Sequence, residues 1–262
     1  MEKQLNRDIK SVMSEFPEVG IILEEFDIGC TTCGVGICLL KDIISIHDVP
    51  KQVEELMMKR IEKAIYPERN IEINIQSEGI PQQQSTKTEL IYSRPMKMLV
   101  DEHIVIKELL KLIPDVCNYI VHSQSIDRNM MADIIDFIRS YADGFHHAKE
   151  EDILFPYANR GVDIIEAMEM DHIEGRGYVA SMIKGIKAND KNLLIESLKN
   201  YGTLLQEHIK KEDEILYPWL DRILNDEIID EMNQRFIATD ASFDNYNRKY
   251  VDVIEKLKNK FA

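Results

Sequence analysis

Two copies of one short string constrain this chain more than any other feature in it. Residues 146–156 read HHAKEEDILFP, and residues 208–218 read HIKKEDEILYP. In register they share His, Lys, Glu, Ile-Leu, an aromatic residue and Pro. Each copy sets a His and a Glu four residues apart, so on a helix the two side chains stack on one face. Each pair offers a metal one imidazole nitrogen and two carboxylate oxygens. Two such pairs facing each other predict a site for two metal ions.

The duplication extends beyond the strings. Residues 101–104 read DEHI and residues 170–173 read MDHI, each ahead of one of the HxxxE segments. The order is His103, then His146 with Glu150; His172, then His208 with Glu212. Apolar periodicity predicts four helices, from about Pro95 to Tyr119, Asp127 to Tyr157, Val162 to Lys187 and Asp190 to Asp221. Pro114 is expected to kink or end the first. Short connections such as 158–161 imply antiparallel neighbours, as in a four-helix bundle. A last amphipathic helix, over 226–259, is expected to pack on the bundle or on the N-terminal unit.

Helical spacing puts the candidates on the core face. Met96, Leu99, His103, Ile106 and Leu110 form one stripe, and Ile138, Ala142, His146, Glu150 and Ile153 a second. Ile165, Met168, His172 and Val179 form a third, and Leu204, His208, Glu212, Ile215 and Trp219 a fourth. A buried Glu without a partner is costly, and metal ions supply a reason for two of them. His147 and Glu151 have the same spacing but share a polar stripe with Asp136, Ser140 and Asp143. The second copy has Ile209 and Asp213 there, so His147 is expected around the site or at the surface. His122 is expected at the surface, and His47 stands isolated.

The rest of the chain sets boundaries. Residues 1–66 read as a small helical unit with helices over 15–27 and 50–66, and 67–93 as a linker with a short alternating strand-like run, IEINIQ. The bundle takes 94–222 and a helical extension 223–262. A net charge of −15 argues against nucleic acid and anionic membrane surfaces. No apolar run reaches the roughly 18 residues of a spanning helix, and the first residues lack the apolar region of a signal peptide. The expected compartment is the cytoplasm. Cys30, Cys33 and Cys38 cluster like metal or redox ligands rather than a disulfide framework.

At His103, HHAKEEDILFP, DHIEGR around His172 and HIKKEDEILYP, the chain resembles the hemerythrin-like (HHE cation-binding) family. The resemblance implies an all-α protein whose antiparallel four-helix bundle carries a non-haem di-iron centre. Glu150 and Glu212 would be the bridging carboxylates, and His103, His146, His172 and His208 terminal ligands, with an oxo or hydroxo bridge between two iron ions. The oxygen-carrying members have two His four residues apart on the third helix. Here Arg176 follows His172 at that offset, which argues against reversible oxygen storage and leaves positions for oxygen, peroxide or nitric oxide, or for a fifth protein ligand. Tyr157, Tyr178 and Tyr217 are within sequence reach of such a position but are expected as packed aromatics. The implied roles are sensing, scavenging or stress defence, enzymatic reduction of peroxide or nitric oxide, repair of iron centres with a redox partner protein, or an iron-sensing interaction module.

The N-terminal stretch FPEVGIILEEFDIGCTTC looks like the small Cys-bearing helical domains fused to such bundles. Its thiols are open to three readings: a further metal or iron–sulfur cluster completed by Cys117 or His47, a redox pair at Cys30 and Cys33, or incidental thiols.

Overall fold

The computed structural model describes residues 1–26, 28, 38–47, 49–69, 71, 92–158 and 163–261. Two compact units divide the chain, Met1–Ile91 and Tyr92–Ala262. All regular elements among the described residues are helical; Asp8 and Leu39 add one isolated antiparallel bridge. No helix among the described residues is long and apolar enough to cross a membrane.

The first unit holds α1 (Glu2–Leu5), α2 (Ile9–Glu15), α3 (Pro17–Glu25), α4 (Ile43–Ile46) and α5 (Lys51–Ile65). Asp8 caps α2 by accepting the Ser11 amide at 2.7 Å. Pro17 opens α3, where a missing N–H costs nothing. Pro50 lies one residue before α5, as its N-cap. Ile9, Val12, Val19, Leu23, Ile43, Met57 and Ile61 form the core of this unit. Cys38 is buried and His47 half-buried. Cys30, Cys33 and the strand-like IEINIQ run beyond Ile71 lie outside the described residues.

The second unit begins with α6 (Arg94–His122), which continues through Pro114. The helix does not end there. Pro114 faces solvent, while Ile113, Val116 and Cys117 on either side are buried and hold the helix in place. Asp127 caps α7 (Arg128–Asp136) by accepting the Met130 amide at 3.0 Å. The same rod continues through wide π turns at Phe137–His147 and Glu150–Leu154 into α8 (Phe155–Tyr157). Then come α9 (Asp163–Ala188) and α10 (Lys191–Lys211), joined at Asn189 with φ 55°. Asn tolerates that left-handed conformation, and Asp190 then caps α10. Here α9 crosses so close to α10 that a Cβ at Gly185 would lie 3.0 Å from the Leu194 amide nitrogen. A further π turn, Glu212–Leu216, leads into α11 (Tyr217–Ile223).

The bundle core runs from Ile106 on α6 through Phe137, Tyr141, Met182, Leu198 and Tyr201. The last helix, α12 (Asp226–Phe261), packs against α6 and against the π segments of the second rod. It contributes Tyr250, Ile254 and Leu257 to the bundle core. The ligand candidates interrupt their apolar stripes, with buried Met96, Leu99, Ile165 and Met168 on the far side of them.

Candidate metal centre

All six expected ligands are buried: His103, Glu150, His208 and Glu212 are 0% exposed, His146 1% and His172 2%. They fall into two groups. His103, His146 and Glu212 form one; Glu150, His172 and His208 form the other, together with His147. Within each group, one donor atom per residue lies within 4.8 Å of the others.

Four imidazoles are aimed by carboxylates. His103 donates its Nδ1 proton to Asp213 at 2.7 Å, and His146 to Glu102 at 2.9 Å. His172 donates to Glu151 at 2.7 Å and His208 to Asp171 at 3.2 Å. A neutral imidazole protonated at Nδ1 presents a lone pair at Nε2, the arrangement of metal-bound histidines. The Nε2 atoms do converge, His103 on His146 at 2.8 Å and His172 on His208 at 3.1 Å. At these distances each pair needs a proton or a cation between its two nitrogens.

These acids form a closed circuit. Glu102 on the first rod holds His146 on the second, and Glu151 on the second holds His172 on the third. Asp171 on the third holds His208 on the fourth, and Asp213 on the fourth holds His103 on the first. Each acid is the sequence neighbour of a ligand, yet orients the ligand of the next helix. The duplicated lysines follow suit: Lys149 pairs with Glu102, and Lys211 with Asp171 at 2.6 Å.

The two glutamates reach both groups. Glu150 Oε2 lies 3.8 Å from His146 Nε2 and 3.5 Å from His172 Nε2. Glu212 Oε2 lies 3.3 Å from His103 Nε2, and its Oε1 3.0 Å from His208 Nε2. Glu150 Oε2 and both Glu212 oxygens are nonetheless buried without a hydrogen-bond partner among the described residues. Unsatisfied buried carboxylate oxygens cost several kcal/mol on general grounds. Convergent imidazole nitrogens beside unpartnered carboxylate oxygens fit borderline divalent cations.

Charge is distributed to suit. Burial raises Glu150 well above the ordinary carboxylate range, and repulsion from Glu212 adds to it. Burial opposes the charged form of Glu212 too, but His208 and His103 overcome it and hold Glu212 well below that range. Burial, then the neighbouring imidazoles, push His146 and His172 well below the ordinary His value. His208 goes the other way: burial works against its charge, but Glu212 and Asp171 lift it to about 9. Protons therefore do part of a cation's work here. His208 must release its proton before its lone pair can bind metal. His103 is raised above its ordinary value as well, so cation uptake at pH 6 is expected to expel at least two protons. Near pH 6 two displaced protons make affinity climb roughly a hundredfold per pH unit, and the His208 share is lost as pH passes about 9. Calorimetry in buffers of different ionisation enthalpy counts them.

Other candidates sort themselves out. Tyr217 is fully buried, and its hydroxyl donates to Glu150 Oε1 at 2.6 Å. It is packed, as expected, but it also touches the site. Tyr178 bonds Glu174, and Tyr157 accepts from Arg235, both away from the cluster. His122 is exposed and donates to the Asn118 carbonyl. Cys117 is buried in the bundle core. Arg176 bonds Asp143 at 2.8 Å and Glu151 at 2.6 Å, bracing the acid that aims His172.

His147 takes the first of its two expected places, around the site, but its stripe does not face solvent. It is only 5% exposed, and its ring stacks on His172 with centroids 3.9 Å apart. The polar stripe Asp136, Ser140, Asp143, His147 assumed α-helical rotation. The wide turn at Phe137–His147 carries more residues per turn, so neighbours rotate less and His146 and His147 both reach inward. The His doublet was the one sequence signal for this.

No curated protein and no solved structure matches the chain. The family model described as the hemerythrin HHE cation-binding domain does match, over residues 94–220, which span every ligand candidate. The bundle, residues 94–220, is thus a hemerythrin HHE cation-binding domain.

Proposed function

We propose that the bundle holds two iron ions, bridged by Glu150 and Glu212, and that the centre binds or reacts with a small ligand such as oxygen, peroxide or nitric oxide. The carrying observation is the reach of each glutamate across both imidazole groups. Iron would supply redox-active open coordination positions in a site that is largely buried. The chain's own residues do the rest. The carboxylate circuit fixes the tautomer and aim of His103, His146, His172 and His208. Tyr217 holds one Glu150 oxygen and leaves the other turned inward.

A route for a small ligand exists on one side. A cavity of about 290 Å³ is lined by His147, His172, Gly175, Val179, Ile183 and Tyr201 among others, with Arg176 beside it. It brings solvent-sized molecules to the His172 group. Such access serves sensing, scavenging or defence in stress better than sealed storage would.

The test is anaerobic reconstitution of the full chain with ferrous iron, followed by exposure to oxygen. About two irons per chain and a near-ultraviolet band of a bridged ferric pair are expected, as paired-metal sites require. A chain that retains no iron after gel filtration would sink the proposal.

A further inference from the structure

We infer that His147 is a third imidazole ligand of the cation position made by Glu150, His172 and His208, so that the two positions are chemically unequal. This rests on the two-cation reading above and extends it to a residue outside the duplicated ligand set.

Four observations carry it. The His147 side chain is buried, and its donor atom shares the 4.8 Å cluster with those of Glu150, His172 and His208. Its ring lies nearly parallel to His172, at 12°, and edge-on to His208 at 5.6 Å. Its Nδ1 faces Asp143, 3.5 Å away, so it has a carboxylate behind it as the other four imidazoles do, at longer range. That Nδ1 is buried without a hydrogen-bond partner among the described residues, so no hydrogen bond accounts for the inward placement of the ring.

The internal duplication supplies the comparison. At the matching place in the second copy stands Ile209, 1% exposed and part of the apolar core. An aliphatic side chain therefore satisfies the fold at this register, and an imidazole adds a donor to it. One group has His103 and His146 for nitrogen; the other has His147, His172 and His208. His147 and His172 also line the cavity, so the richer position is the one reached from it.

The test borrows the second copy's residue. His147→Ile and the polar control His147→Gln are titrated anaerobically with ferrous iron as full chains. Helix content is followed by circular dichroism, and ion environments by Mössbauer spectroscopy. Wild type is expected to take two ions giving two distinct doublets. Both variants should keep one ion at wild-type affinity and one doublet, with the second ion weakened more than about 100-fold. That exceeds the 10–100-fold loss typical of an outer hydrogen-bond partner. Two ions at wild-type affinity in either folded variant would overturn this inference alone. So would a modest weakening shared equally by both ions, the mark of a packing role. Fewer than two ions in wild type would overturn the two-cation reading itself.

Discussion

Glu150→Gln is expected to lose both cations and yet unfold at a higher temperature than the cation-free wild type. The two effects have one cause. Glu150 reaches both imidazole groups, so weakening it loosens both ions together, by more than about 100-fold, beyond the effect of an outer partner. Without metal, the same carboxyl is a liability: fully buried, beside Glu212, with one oxygen unpartnered. Gln keeps an acceptor for the Tyr217 hydroxyl and removes the ionisable group. The gain should be about 1–3 kcal/mol, the usual penalty for a poorly satisfied buried polar group. For a unit this size that raises Tm by roughly 2–12 °C. Differential scanning calorimetry of metal-free protein, paired with an iron titration, reads both signs. A lower Tm in the cation-free variant would mean that Glu150 has a stabilising partner after all.

Lys149→Ala should be the most damaging single change to the bundle away from the ligands. Lys149 is 0% exposed, pairs with Glu102 and with Asp240 at 3.0 Å, and lies over the Phe145 ring at 4.0 Å. Removing one member of a buried ion pair costs about 3–5 kcal/mol because the other charge is stranded. That is a Tm loss of roughly 6–20 °C. Glu102 also aims His146, so iron affinity should fall with it. The duplicate, Lys211→Ala, is the control. Its pair with Asp171 is partly exposed, with side chains at 14% and 17%, so water screens it and the loss should be smaller. Equal losses at the two lysines would show that burial is not what sets the cost. Asp240 belongs to α12, beyond residue 220, so a fragment trimmed to the family match would carry part of the Lys149 defect.

Much of this was legible because helices and ligands obey simple periods. The four apolar stripes and the two HxxxE strings placed the helices and brought six candidates into one cluster. Pro114 misled because its effect depends on what flanks it: buried Ile113, Val116 and Cys117 override a lost backbone bond on the solvent side. The polar stripe through His147 misled for a subtler reason. A stripe argument presumes one rotation per residue, and the widened turn over Phe137–His147 changes that rotation where the ligands sit. Tyr217 was visible as a core aromatic; that its hydroxyl would meet Glu150 needed the tertiary arrangement of the second and fourth rods.

The carboxylate circuit has a consequence for assembly. No helix orients its own imidazole; each borrows the acid of its neighbour, and the last link, Asp213 to His103, joins the end of the bundle to its beginning. A chain emerging from the ribosome thus has well-aimed donors only after its fourth rod docks. Until then its histidines are ordinary, loosely held nitrogens. Tight capture of a cation is in effect a completeness check on the fold, and a half-made molecule has little with which to seize the wrong ion.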